Sequence, residues 1–280
     1  MSQKSYDGSP ILYLVPTPIG NMDDITLRAI KVLNEVEVIF SEDTRVTGLL
    51  LKHLDIKKKL IANHNFNEET NKDKLIHYLS NGYNVAVVSD RGTPAISDPG
   101  YSLARFAIDN NYNVVALPGP TAFVPALIVS GLDISSFTFY GFLNSKSSKR
   151  KKELEELKFS RETLIFYESP HRIKEMLEDV MEVMGNRKIS ISREISKKYE
   201  EVIRGNIFDI IEQLVDIKGE IVVVVSGAKK EEISDNFTII EHVDLYINMG
   251  NSVMEAIKMV AKERNVSKNV IYNEYHNLRK

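Results

Sequence analysis

Two carboxylates stand in a run that no regular element can hold: Ser89-Asp90-Arg91-Gly92-Thr93-Pro94-Ala95-Ile96-Ser97-Asp98-Pro99-Gly100. Glycine and proline at this density interrupt helix and strand alike, and the apolar residues 85–88 before them read as a buried strand. Such a loop holds a ligand with its backbone N–H and C=O groups, while its carboxylates add acid–base capacity. Three further turns repeat the design: Pro16-Thr17-Pro18-Ile19-Gly20-Asn21, Glu42-Asp43-Thr44-Arg45 and Pro118-Gly119-Pro120-Thr121-Ala122. Any one of them could be a plain connection. Four polar turns that each follow a strand converge on one crevice, at the carboxyl edge of an open α/β sheet where ligands sit.

The elements that must position these turns follow from the apolar spacing. Strands are expected at 11–15, 36–40, 60–62, 85–89 and 114–117, with helices at 25–34, 44–54, 71–81 and 101–110 between them. This alternation is the pattern of a largely parallel sheet. Asp24 or Thr26 would cap the first helix. A helix at 123–132 and a strand at 137–140 open a second half of different character. Strands at 163–167, 188–192, 199–204 and 220–225 and helices at 173–184 and 207–215 make it an α+β lobe with a mixed sheet. Residues 228–236 read as a charged linker. Segments 253–263 and 268–278 read as two helices around the turn 264–267, capped at Ser267, sharing an apolar face of Val253, Ile257, Val260, Val266, Val270 and Ile271. The division is thus 1–120, an N-terminal α/β lobe; 121–228, a second α/β lobe; and 229–280, a linker with a small helical domain.

Composition narrows the chemistry. A chain of 280 residues, 43% hydrophobic, can bury a sizeable core. The absence of cysteine removes disulfides, thiolate nucleophiles and iron–sulfur clusters. The six histidines lack the close spacing of a helical metal motif, so no metal is expected. No apolar run reaches the roughly 20 residues of a membrane span, and the first ten residues lack a secretion-signal core, which points to the cytoplasm. A formal net charge of -3 argues against binding nucleic acid through bulk charge. Locally, however, Lys146, Lys149, Arg150, Lys151 and Lys152 form a basic cluster with no acidic residue among them, and 251–280 carries a basic excess.

The motifs in their order resemble the tetrapyrrole methylase superfamily of S-adenosylmethionine-dependent enzymes and, within it, the ribosomal small-subunit RNA 2'-O-methyltransferase I family. The resemblance covers roughly residues 11–228. It rests on Leu12-Tyr13-Leu14-Val15-Pro16-Thr17-Pro18-Ile19-Gly20-Asn21, Asp24-Ile25-Thr26-Leu27-Arg28-Ala29, Ser41-Glu42-Asp43-Thr44-Arg45, the 90–100 loop and Leu117-Pro118-Gly119-Pro120. Farther along it rests on Tyr140-Gly141-Phe142-Leu143, Ile165-Phe166-Tyr167-Glu168-Ser169-Pro170-His171-Arg172 and Ser192-Arg193-Glu194-Ile195. Two departures stand out: Arg91 where a small residue usually precedes Gly92-Thr93-Pro94, and Pro16 for the frequent glycine.

The resemblance implies a two-lobed fold with a cofactor cleft between the lobes, a homodimer, and methyl transfer from S-adenosylmethionine to the 2'-oxygen of a cytidine in the decoding region of 16S rRNA. It places cofactor contacts on Ile19, Gly92, Thr93, Ile96, Thr121, Ala122, Tyr167 and Ile195. A ribose hydroxyl is a poor nucleophile, so a nearby base helps. Glu42, Asp43 and Asp98 are the carboxylates available, although Asp98 could instead cap the helix near Tyr101 and Asp43 could pair with Arg45. Arg45, Lys146, Lys149, Arg150, His171, Arg172 and Arg193 are the groups suited to grip small-subunit ribosomal RNA or the small ribosomal subunit. Fold alone would equally admit a methylase of corrin or porphyrin precursors, or of a protein side chain. The Glu42 to Arg45 and Tyr167 to Arg172 motifs favour RNA, and the intact Gly92 and Gly119 turns argue against a non-catalytic RNA-binding protein.

Overall fold

The computed structural model describes residues 3–64, 67–214, 217–229, 237–248 and 250–277. Strands β1 (Ile11–Leu14), β2 (Val38–Ser41), β3 (Lys59–Ala62), β4 (Val85–Val88) and β5 (Asn113–Ala116) form a five-stranded sheet in the order β3-β2-β4-β1-β5. All of its pairs are parallel, with Leu12 opposite Val85 and Leu14 opposite Val87. Its strands are covered on both faces, which is why they read as continuous apolar runs. Alternate residues Ile11, Tyr13, Ile39, Ala86 and Val88 pack on one side against Ala29, Val32, Leu33 and Leu51 of α1 (Leu27–Glu35) and α2 (Thr44–His53). Leu12, Val38, Phe40, Val85 and Val87 pack on the other against α3 (Glu68–Ser80) and α4 (Tyr101–Asp109) through Leu75, Leu79, Leu103 and Ala107. Each Val, Leu, Ile or Phe among these side chains, once removed from water, stabilises the lobe by about 1.5–3 kcal/mol before entropic costs. Of the two caps open to α1, Thr26 takes the role, its hydroxyl accepting from Ala29 N–H.

The second sheet joins β6 (Phe137–Phe142), β7 (Thr163–Glu168), β8 (Lys188–Arg193), β9 (Glu201–Asn206) and β10 (Ile221–Val225) in the order β6-β7-β10-β8-β9. It is mixed: β6 runs parallel to β7 and every other pair is antiparallel. One face packs on α6 (Ser147–Leu157), α7 (Ile173–Met184) and α8 (Ile207–Gln213), and the other on α5 (Phe123–Val129) through Ala126 and Leu127. Helix α5 therefore carries the chain out of the first sheet and seats it on the second. Val215, at the end of the helix expected there, lies outside the described residues. Helix α6 has no counterpart among the expected elements, because its run Ser147-Ser148-Lys149-Arg150-Lys151-Lys152 shows no apolar stripe; Arg150 and Leu154 alone form its buried side.

The C-terminal segment corrects the expectation of a two-helix hairpin. Three helices pack together: α9 (Ile239–Asn248), α10 (Val253–Glu263) and α11 (Lys268–Asn277). Their core is Val243, Tyr246, Ala256, Ile257, Val260, Ala261, Ile271 and Tyr275, while Val253, Val266 and Val270 stay exposed because α9 supplies the facing surface. A capping box at Ser252 and Glu255 starts α10. Glu263 joins this unit to the second sheet: it accepts from Tyr246 Oη at 2.7 Å, pairs with His242 Nε2 at 3.1 Å, and forms an ion pair with Arg161 from the turn before β7. Most of the expected linker, 230–236, lies outside the described residues. Among the described residues no helix is long and apolar enough to cross a membrane.

Candidate functional site

Strands β1 and β4 are neighbours, yet the chain leaves β1 toward β2 and β4 toward β5, in opposite directions along the sheet. The carboxyl ends of such a pair open a crevice at the switch point. Thr17 and Gly92 bridge it, Thr17 N–H donating to Gly92 O at 2.9 Å and Gly92 N–H to Thr17 O at 3.0 Å. Thr93 Oγ1 donates to Pro120 O at 3.0 Å, so three of the four turns are tied together. Gly92 sits at φ +77°, and a Cβ there would press to 3.3 Å from Ile19 Cγ2. Ala95 and Ser97, at φ +69° and +64°, hold the same loop in the left-handed region. Such strain costs of order 1–3 kcal/mol per residue and persists only where the surroundings over-determine it.

A cavity of about 310 Å³ opens here, in the size range of small-molecule sites. It brings together Ile19, Gly92, Thr93, Ile96, Thr121, Ala122, Tyr167 and Ile195, which are the eight residues expected to touch the cofactor, and it adds Asp98. Fit to a small organic cofactor can be judged on the wall itself. Among the described residues Thr121 Oγ1 is buried without a hydrogen-bond partner, a polar atom that a ligand would satisfy. Gly92 leaves room for close backbone approach, Ala122, Ile195 and Val222 provide apolar surface, and burial pushes the Tyr167 hydroxyl up to about 12, so it remains a neutral donor. The residues present therefore fit S-adenosylmethionine.

The three candidate carboxylates separate by environment. Asp43 caps α2, accepting from Arg45 N–H at 2.8 Å, and its Oδ2 lies 2.5 Å from Arg45 Nη2; these bonds hold its carboxyl down at about 2. Asp98 does not cap α4, whose N-cap is Gly100, and among the described residues it accepts no hydrogen bond. Burial first, then the charges of Glu42 and Asp90, push it up to about 7. Glu42 is raised chiefly by burial, and its Oε2 accepts from Asp90 N–H at 3.5 Å.

The cations expected to grip RNA also divide. Lys146 and Lys149 are exposed at the start of α6, and among the described residues neither ammonium meets a carboxylate. His171 is exposed, with Nε2 at 3.3 Å from Ser169 Oγ. Arg172 pairs with Glu168 at 2.6 Å, Arg193 with Glu201 at 2.5 Å, and Arg45 with Asp43. Arg150 corrects the expectation: it is 0% exposed, its Nε donates to Asp179 Oδ2 at 2.6 Å and its Nη2 lies 2.9 Å from Glu175 Oε1. It cross-links α6 to α7, and a basic run on a polar helix carries no sign of which cation turns inward. Arg91, whose place the sequence left open, forms an ion pair with Glu220 across the cavity rim. Lys197 also reaches Glu220, at 3.1 Å, so the rim pair extends into the second sheet's loops.

Sequence reasoning missed Phe142, Ser97, Glu168 and the Gly219 to Val222 stretch as parts of the wall. Phe142 and Glu168 stand in quoted motifs and could have been found there. Gly219 to Val222 carry no signal, because they meet the cavity only through β10 lying between β7 and β8.

A family model described as Tetrapyrrole (Corrin/Porphyrin) Methylases matches residues 11–211. The ribosomal RNA small subunit methyltransferase I of Bacillus subtilis is 46% identical over 98% of this chain and 98% of its own length. That of Halalkalibacterium halodurans is also 46% identical, over 98% of this chain and 99% of its own length. The Vibrio cholerae protein of the same name is 46% identical over 79% of this chain and 78% of its own. Among solved structures, a uroporphyrin-III-C-methyltransferase from Thermus thermophilus matches with a TM-score of 0.54 at 21% identity, covering 78% of this chain and 92% of that one, a likeness of fold. The strained glycine turn at the switch point, the cavity it walls and the near full-length likeness agree: the chain belongs to the tetrapyrrole (corrin/porphyrin) methylase family and, within it, to the ribosomal RNA small subunit methyltransferases I.

Proposed function

We propose that this protein transfers a methyl group from S-adenosylmethionine to the ribose 2'-oxygen of a cytidine in the decoding region of small-subunit ribosomal RNA. The observation that carries the reading is the coincidence, in one cavity, of the orphaned Thr121 hydroxyl, the Gly92 cradle and the proton-avid Asp98. When bound, the cofactor supplies a methyl group on a sulfonium leaving group. Gly92, Thr93, Ile96, Thr121 and Ala122 would hold it, with Ile19, Tyr167 and Ile195 at the sides. The negative potential of Asp98, Glu42 and Asp90 would favour a cation, and Asp98 would take the proton that leaves the 2'-hydroxyl as the O–C bond forms, the S–C bond breaks and its electron pair stays on the now neutral sulfur. Glu42 and Asp90 act through Asp98, by raising its affinity for that proton. Lys146, Lys149 and His171 offer exposed donors for the RNA backbone and bases. The resemblance further assigns a homodimer working in the cytoplasm on the small ribosomal subunit.

The test is methyl transfer from labelled S-adenosylmethionine to small ribosomal subunits lacking their own 2'-O modifications, followed by digestion to the nucleotide. Label on a single cytidine ribose is the expected result. No label on subunits or free rRNA, with cofactor binding intact in calorimetry, overturns the reading.

A further inference from the structure

The cavity wall contains an aromatic ring that belongs neither to the buried core nor to the eight residues expected to touch the cofactor. Phe142 lines the cavity and is nevertheless 56% exposed. It ends β6, the edge strand of the second sheet, and the pairing of β6 with β7 shifts register between Phe139 and Gly141. A bulge of this kind turns the strand and re-aims the side chains beyond it. Gly141 absorbs the turn at φ +87°, and a Cβ there would stand 3.2 Å from Ser97 Oγ. The end of β6 thus abuts the loop that carries Asp98, and Phe142 and Asp98 face the same cavity. The Tyr167 ring meets that of Phe142 edge-to-face at 5.5 Å, while much of Phe142 stays in water.

A large apolar ring held in place but left open at a site rim marks a contact for a ligand. We propose that Phe142 is the stacking platform for the nucleobase of the target nucleotide, positioning its ribose against Asp98. This rests on the reading above and deepens it. The target base must leave its neighbours for the sugar to enter a cavity of this size, and unstacked RNA bases are held by aromatic faces. Exposed donors for a phosphate backbone stand close by in sequence: Lys146 and Lys149 lie four and seven residues after Phe142, and His171 follows Pro170, another wall residue. Stacking on Phe142 selects an extruded base without naming it.

The test compares wild type, Phe142→Leu, which keeps apolar bulk but lacks a π face, and Phe142→Trp, which keeps the face. Each is assayed on unmodified small subunits for kcat and KM, with S-adenosylmethionine affinity by calorimetry and mass by light scattering. Expected is a loss in kcat/KM of roughly tenfold to a hundredfold for Phe142→Leu, the range for one base–aromatic stack. Phe142→Trp should keep activity within about threefold of wild type, and cofactor affinity and mass should not move. Unchanged kcat/KM in Phe142→Leu overturns the proposal. So does a matching fall in cofactor affinity, which would make Phe142 a cofactor wall, or a change of mass, which would make it a subunit contact. Failure of wild type to label the subunits is instead a failure of the proposed function.

Discussion

The turns that follow β2 and β4 leave neighbouring parallel strands, and both carry carboxylates, but they are built in opposite ways. After β2 the chain enters a helix at once; Asp43 caps α2, binds Arg45 and has its hydrogen-bonding capacity met locally. After β4 the chain runs through Gly92, Ala95, Ser97 and Gly100 at positive φ, and among the described residues Asp98 finds burial and like charge in place of hydrogen-bond donors. The first arrangement lowers a carboxyl's proton affinity and the second raises it. Residue type names a pool of bases, and the local supply of hydrogen bonds and opposite charge selects among them.

The largest blow to this contrast is Asp98→Asn, expected to lower kcat by about 10²–10⁴ while cofactor affinity stays within a few-fold. Single-turnover methyl transfer measures it, and in wild type kcat/KM, which reports the free enzyme, should rise with pH through about 7 and then level off as Asp98 loses its proton. Stability should move the other way. Asp98 holds its proton more tightly folded, at about 7, than at its ordinary 3.8, so its contribution is full below 3.8 and is lost as pH rises through 7. Thermal unfolding at pH 8 should find Asp98→Asn more stable than wild type, and a variant that gains nothing there would remove the electrostatic half of the comparison.

Gly92→Ala comes next. A Cβ at φ +77° adds about 1–2 kcal/mol of backbone strain, so the melting temperature should fall, and its 3.3 Å approach to Ile19 at the cavity wall should lower cofactor affinity by up to roughly tenfold in calorimetry. Arg91→Ala and Glu220→Ala should each speed cofactor release by no more than about fivefold, as suits a half-exposed ion pair. Stopped-flow release from the double variant should match the singles, and additive effects would show that the two do not act as a pair. The smallest effect on turnover belongs to Asp43→Ala, with kcat within about twofold of wild type. Its melting temperature should drop at pH 7. Asp43 is depressed to about 2, so its stabilisation is present above its ordinary 3.8 and lost as pH falls through 2; the gap to wild type should close there. A collapse of kcat in this variant would erase the distinction between the two turns.

Where the hydrophobic pattern repeats with a fixed period, the chain announces itself. The strands 85–89 and 163–167 and the helices 173–184 and 253–263 are readable within a residue or so, because each buries a regular face. The cavity wall is readable for a different reason: turns of glycine and proline after strands have few conformations, so their neighbours in sequence remain neighbours in space. Helix α6 and helix α9 escape. The first buries a cation in place of an apolar stripe, and the second gains its buried face only when α10 and α11 pack on it.

By itself the sequence determined the strand–turn–helix order, the family it resembles and the backbone-lined cradle, since these depend on local propensity and on motifs contiguous in the chain. Only the tertiary structure decided which carboxylate has its proton affinity raised and which is a cap, that Arg150 is an internal strut, that Arg91 meets Glu220 and that Phe142 lines the same cavity as Asp98. Burial and charge at a site are sums over segments distant along the chain, and they acquire values only when β6, β7 and β10 close over the loop that follows β4.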